Sequence, residues 1–238
     1  MPIAACPAAR PRGGSLGAIA RDWFGRTFDT AIPDTPLPLR PADADWSATV
    51  RRALATDARP LVAAGFGTGG NAAKRVGPAF EADLLHALVA EGCRILLSRG
   101  VDPAEHEATR ILCAALQDRG MRISHLPKGR TLTGQDSADI VTWQADPGAF
   151  MAIIAASDLH LGYDSAGQHI AAALGVPTFC AFVMAGGARH ADRWTPAGPG
   201  PVGVLRLAVG SSEQAATGPA IRAVRALLRR AGKDGSAP

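Results

Sequence analysis

Lys74, Asp164 and the main-chain amides just after Asp164 are the groups in this sequence best suited to handling an anionic ligand. The run Asp158–Gly162 is short and apolar, Asp164-Ser165-Ala166-Gly167 is a polar turn, and an alanine-rich stretch follows until Gly175 and Pro177. That order predicts a strand over 158–162, a turn, and a helix over Ser165–Leu174. The turn is then a helix N-terminus, where the N–H groups of Ala166, Gly167 and Gln168 lack intrahelical acceptors and the helix dipole favours negative charge, so a phosphate could dock there. Gly167 lets a ligand approach the main chain. The bland alternative stays open: Asp164 or Ser165 as an ordinary N-cap and His169 as a surface residue.

A second loop, Gly67-Thr68-Gly69-Gly70-Asn71-Ala72-Ala73-Lys74-Arg75, is glycine-rich and ends in two cations. It is not GxxxxGK[ST], because Arg75 follows the lysine, and it is not GxGxxG, because the third glycine is missing. A flexible turn is one reading of it. The other is that Lys74 neutralises a departing diphosphate, an electrostatic role that grows as charge develops. Asp102, Glu105, His106 and Glu107 cluster where the second expected strand meets its helix. They read either as a favourable acidic first turn or as a carboxylate for ribose hydroxyls. Neither HExxH nor Gly-x-Ser-x-Gly nor a paired-cysteine constellation occurs, which leaves hydrolase and metalloenzyme readings without support.

These loops need a scaffold, and the apolar runs supply one. Strands are expected at Leu61–Gly65, Arg94–Ser98, Arg122–His125, Ile140–Trp143, Asp158–Gly162, Thr178–Val183 and Val202–Val209. Helices are expected at Pro78–Glu91, Pro103–Arg119, Pro147–Ala156 with Asp146 as cap, Ser165–Leu174 and Glu213–Ala231, while Gly186–Pro201 reads as a loop holding Arg189, His190, Arg193 and Trp194. Short strands alternating with helices imply an α/β fold, a Rossmann-like, mainly parallel sheet with helices on both faces. The first three strands read as a βαβαβ unit. Ligands of such sheets lie beyond the carboxyl ends of the strands, near the switch in strand order, and the loops carrying Lys74 and Asp164 both open on that edge. Three regions are expected: an N-terminal remnant and linker over 1–60, with a weakly amphipathic piece at Ser15–Phe24, a proline-rich connector at Thr30–Pro41 and a helix at Asp45–Ala55; a nucleotide-binding unit over 61–231; and a disordered tail over 232–238.

Composition narrows the partners. The chain has 238 residues, 47% of them hydrophobic, enough for one large or two small domains. Its net charge of +4 is scattered and aromatics make up only 5%, which argues against nucleic acid and suits an anionic small molecule. Cys6, Cys93, Cys113 and Cys180 show no metal-binding or disulfide spacing, and the opening Met-Pro-Ile-Ala-Ala-Cys-Pro has no signal-peptide pattern. No membrane span is predicted. A reducing cytoplasm is the expected setting, with at most peripheral membrane contact.

Taken together, three features resemble the C-terminal half of glycosyltransferase family 9, the lipopolysaccharide heptosyltransferase-like enzymes. They are the glycine loop ending in Lys74-Arg75, Gly-x-x-x-x-Glu near Asp102 to Glu107, and Asp164-Ser165-x-x-x-His169-Ile-Ala-Ala-Ala-Leu-Gly-x-Pro177 before a buried strand. The family's motif usually reads Asp-Ser-Gly-Pro-x-His, and Ala166-Gly167 stand here in place of Gly-Pro. The resemblance covers about Leu61 to Leu207. It implies a GT-B fold whose C-terminal domain holds a nucleotide-sugar donor, with no metal and no other cofactor, and inverting transfer to a glycan or lipopolysaccharide-type acceptor. It further implies that Lys74 contacts the donor phosphates with help from Thr68 and Asn71, and that Asp164 contacts the donor sugar. Ser165, Ala166 and Gly167 would offer amides to the diphosphate, His169 would support that turn, and Glu105 would hold the ribose.

Only sixty residues precede the first strand, fewer than the family's acceptor domain needs, so the acceptor half is expected to be missing. Asp22, Asp29, Asp34, Asp43 and Asp45 lie in that segment, and none follows a strand and glycine turn as a positioned base would. The expected partners are a nucleotide-sugar donor, a glycan or glycolipid acceptor, and either a second copy of the chain or a separate acceptor-domain subunit. Three functions fit: a transferase with a shortened chain, a non-catalytic nucleotide-sugar-binding domain, or another GT-B-like enzyme such as a nucleotide-sugar epimerase.

Overall fold

The computed structural model describes residues 14–33, 39–41, 43–55, 59–126, 137–144, 147–184 and 187–234. Cys6, Asp34, Asp146, Gly186 and most of the tail expected over 232–238 lie outside them. Among the described residues the order is α1 (Leu16–Phe28), α2 (Ala44–Leu54), β1 (Leu61–Gly65), a 3-10 turn (Ala72–Lys74), α3 (Pro78–Ala90), β2 (Arg94–Ser98), α4 (Pro103–Gln117), β3 (Ile123–His125) and β4 (Ile140–Trp143). There follow α5 (Pro147–Ala155), β5 (Leu159–Tyr163), α6 (Ala166–Ala173), β6 (Thr178–Val183), α7 (Ala188–Trp194), β7 (Val202–Leu207) and α8 (Glu213–Asp234).

The seven strands form one sheet in the order β3-β4-β2-β1-β5-β6-β7, and every neighbouring pair is parallel. This is the expected Rossmann-like α/β architecture, with one difference in order. β3 is not the neighbour of β2, because β4 lies between them. All four residues of β4 are buried whereas β3 is half-buried to exposed, so the apolar strand takes the interior position and the shorter, wetter one the edge. The expected βαβαβ unit is therefore not three successive neighbours.

Alternation along each strand separates two cores. Val62, Ala64, Ile95, Leu97, Leu161 and Tyr163 face α3, α4 and α8. Leu61, Leu96, Val141 and Trp143 face α2 and α5, and Ala63 faces α6. The α2 helix, upstream of the unit expected over 61–231, buries Trp46, Val50 and Leu54 in the second core. By contrast α1 buries no residue; Trp23, Phe24 and Phe28 contact one another on it. No helix among the described residues is long and apolar enough to cross a membrane.

Three features lie at the carboxyl edge. The chain turns to the other side of β1 after β4, so β1 and β5 are neighbours in register, Gly65 opposite Gly162, and their following loops share the switch point. The approach is close: a Cβ on Gly162 would stand 2.4 Å from the Gly65 carbonyl oxygen. Finally, Ala188–Trp194, which the sequence reading left as loop, is the helix α7. It has no side-chain cap at Gly187, and among its described side chains only Ala191 is a buried hydrophobic, so no helical period was present to see.

Candidate functional site

The strand β5 ends at Tyr163 and α6 starts at Ala166, as the apolar run and the alanine stretch require. Ser165 is the N-cap in extended conformation, but its side chain makes no capping hydrogen bond. The first turn of α6 therefore presents amides that the chain does not cap with a side chain. It lines one wall of a cleft of about 330 Å³, whose other walls come from the loops after β1, β2 and β4. Gly65, Gly67 and Gly69 lie on one side, Gly100, Val101 and Glu105 on another, and Trp143, Pro147, Phe150 and Ile170 form an apolar end. This is the size and character of a small-ligand site at a topological switch point.

Glu105 is the carboxylate of that cleft. Its side chain accepts hydrogen bonds from the Thr68 amide (3.1 Å) and the Val101 amide (2.9 Å), joining the loops after β1 and β2. Gly67 and Gly100 must be glycine for this, since a Cβ on either would fall within 2.7 Å of Glu105 atoms. Its own amide is capped by Asp102 at 2.8 Å, so Asp102 is the ordinary N-cap of α4. Glu107 turns away to pair with Arg110, and only Glu105 of the acidic cluster lines the cleft.

On the other side of the α6 turn lies an ionic cluster. Lys74 Nζ stands 2.8 Å from Asp164 Oδ2 and 3.3 Å from the Asp164 carbonyl oxygen. His190 Nε2 stands 2.8 Å from the same carboxylate oxygen, and Gln168 Nε2 donates to Oδ1 at 3.0 Å. Burial pushes the Asp164 carboxyl up, but hydrogen bonds and charge from Lys74 and His190 outweigh it and hold the group below the usual carboxylate range. The loops expected to converge do meet. What the sequence reading did not assign is His190, which comes from the missed helix α7.

The remaining expected residues are dispersed around this centre. Thr68 is half-buried beside Glu105, while Asn71 is exposed and caps the 3-10 turn through Ala73 N at 3.2 Å. His169 is half-buried; its ring lies edge-on to Trp194 of α7, and burial lowers its pKa. Arg75, next to Lys74, turns inward instead. It forms a bidentate pair at 2.6 and 2.5 Å with Glu81, which also accepts from the Tyr163 hydroxyl at 2.9 Å. That buried network fixes the loop stem on one side while Lys74 faces the cluster on the other. Among the described residues no group of His, Cys, Asp and Glu is placed to hold a metal ion, and Cys93, Cys113 and Cys180 are buried free thiols.

Among the cleft residues that the sequence did not reveal are Trp143, Phe150 and His160. The available signal was a lone histidine inside the apolar strand Leu159-His160-Leu161. His160 is fully buried, and burial lowers its pKa to about 4, with the Ala63 carbonyl pulling weakly the other way.

Topology defines a Rossmann-like α/β domain with a cleft at its switch point. No protein-family model and no curated protein matches the sequence, but solved structures match the fold. A family 9 glycosyltransferase from Veillonella parvula superposes with a TM-score of 0.64 at 13% identity, over 92% of this chain and 61% of that one. The E. coli ADP-heptose lipopolysaccharide heptosyltransferase II gives 0.59 at 20% identity, over 84% of this chain and 56% of that one. An E. coli heptosyltransferase solved with ADP gives 0.59 at 18% identity, over 93% and 58%. At these identities the likeness establishes the shared fold. The chain spans 56 to 61% of the length of the first two structures.

Proposed function

We propose that this chain is the donor-binding half of a family 9-like glycosyltransferase, a cytoplasmic protein that holds a nucleoside diphosphate sugar at the carboxyl edge of its sheet. The observation that carries the reading is the first turn of α6: its N-cap side chain makes no capping bond, and it lies between a ligand-sized cleft and a cation, Lys74. The nucleoside occupies the cleft with its ribose against Glu105, and the diphosphate lies on the amides of Ser165, Ala166 and Gly167. Lys74, with Thr68 and Asn71 on its loop, neutralises the leaving diphosphate, and Asp164 meets the sugar beside His169. Displacement at the anomeric carbon then proceeds with inversion and without a metal, the helix terminus and Lys74 taking up the developing charge. The heptosyltransferase among the structural neighbours that was solved with ADP supports a nucleotide as the ligand class.

Within this reading, 61–231 is the donor domain, and the acceptor, a glycan or lipopolysaccharide-type molecule, is held by a domain outside this chain or by a second copy. A specific observation favours simple binding as the second reading: the Asp164 carboxylate is already engaged by Lys74, His190 and Gln168. Thermal denaturation with ADP, UDP, GDP and dTDP, and with ADP-heptose and UDP-sugars, tests both. A ligand that binds only the folded chain raises its melting temperature by mass action. A selective shift with one diphosphate and its sugar is expected, and no shift with any would overturn the reading. Donor that binds but is never consumed, even with the acceptor half supplied, would establish the second reading instead.

A further inference from the structure

The cleft has polar groups at its apolar end that the protein leaves unused. Trp143 is 3% exposed and His160 is 1% exposed, yet neither the indole Nε1 nor the imidazole Nε2 has a hydrogen-bond partner. Two other polar lining side chains differ: Ser98 accepts from the Gly100 amide at 3.2 Å and Glu105 accepts two amides. Buried donors and acceptors are almost always satisfied, so two orphans in one cleft point to a ligand that satisfies them.

Their chemistry limits that ligand. The indole can only donate. His160 pairs in register with Ala63 on β1, and the Ala63 carbonyl is the backbone group that draws its ring proton. Nε2 faces the first turn of α6: a Cβ on Gly167 would fall 2.9 Å from it, and one on Gly162 3.6 Å. The nitrogen facing the first turn of α6 therefore carries the lone pair and accepts. The side chains around the two are flat or apolar. Trp143 and Phe150 lie with ring centroids 5.5 Å apart at 32°, and Pro147 and Ile170 complete the end. A lone pair among apolar groups repels a phosphate oxygen and suits a planar ring bearing N–H.

Resting on the nucleotide reading above, we infer that Trp143 and His160 are specificity-determining residues that read the base. The indole N–H donates to, and His160 Nε2 accepts from, the polar edge of a planar heterocycle lying against Phe150. The phosphates stay at the rim on α6, so base and phosphate recognition are carried by different residues.

Titration calorimetry on the parent chain with AMP, GMP, CMP, UMP and ribose 5-phosphate tests this, because the last keeps the sugar phosphate and lacks the base. One nucleotide is expected to bind at least about tenfold more tightly than ribose 5-phosphate. Trp143→Phe keeps the ring plane and removes the N–H; His160→Leu removes the acceptor and also an unpartnered buried polar group. Each should weaken the favoured nucleotide about tenfold and leave ribose 5-phosphate unchanged, with the melting temperature of His160→Leu equal to the parent's or higher. Equal binding of all five ligands, or variants that keep the parent's preference, would overturn the inference while leaving a phosphate site. Binding of none of the five by the parent would overturn the nucleotide reading itself.

Discussion

The first turn of α6 separates two sites built on opposite principles. On one side the Asp164 carboxylate is saturated by Lys74, His190 and Gln168, so a ligand arriving there must compete with contacts already made. On the other side the cleft holds Trp143 and His160 without partners, so a ligand arriving there supplies contacts the free protein lacks. The difference teaches that affinity and chemistry need not come from the same groups. The orphaned side gains hydrogen bonds on binding, whereas the saturated side can act only after the ion pair rearranges.

Breaking the seam that holds both sites should have the largest effect. Gly162→Ala forces a Cβ to within 2.4 Å of the Gly65 carbonyl oxygen, a backbone atom that cannot swing away. A loss of about 3 kcal/mol or more in chemical denaturation is expected, together with loss of nucleotide binding. A variant as stable as the parent would mean that β1 and β5 are not held this closely.

Acid separates the two regions next. Because the folded pKa of His160 lies near 4, below its unfolded value, the unfolded chain takes the proton first. Stability from this residue is complete above about pH 6.5 and is lost as pH falls toward 4, a change of up to about 3 kcal/mol. His160→Leu should flatten that part of the profile in urea midpoints measured across pH. The Asp164 carboxyl, held below its usual value, gives a stabilisation that persists through this window and fails only below pH about 4.

Asp164→Ala leaves Lys74 and His190 without their common anion. Since both side chains are about a quarter exposed, a cost of about 2 kcal/mol is expected, less than for a fully buried pair, with weaker binding of the intact donor in calorimetry. The smallest effect belongs to Lys74→Ala, about 1 kcal/mol or less on stability. Its main consequence is weaker diphosphate binding that no longer falls as steeply with added salt. If Lys74→Ala bound diphosphate like the parent, the ionic cluster would have no part in donor binding.

How much of this was legible depended on whether the signal was local. The helix over 166–173 could be read because its strand, turn and alanine run are contiguous, and Glu105 stood out at the start of a proline-led helix. The helix α7 could not be read, since seven residues carrying two charged arginines and an aspartate among few apolar positions show no period, and His190 was lost with it. Trp143 looked like an ordinary strand residue, and His160 showed only as a lone histidine in an apolar strand; the burial of their unpaired nitrogens is what marks them. The place of β4 between β3 and β2 was equally hidden, because alternation of strands and helices gives their number and not their neighbours.

By itself the sequence determined a parallel α/β sheet and a helix N-terminus with amides to offer, because hydrophobic period and helix-end geometry are properties of adjacent residues. It also brought Lys74 and Asp164 to the same edge of the sheet. Only the tertiary structure decided that these two residues, ninety positions apart, form an ion pair with His190, and that Trp143 and His160 share the end of one cleft. Such meetings depend on strand order and on the path of each crossover, which place remote segments side by side without leaving a trace in their spacing along the chain.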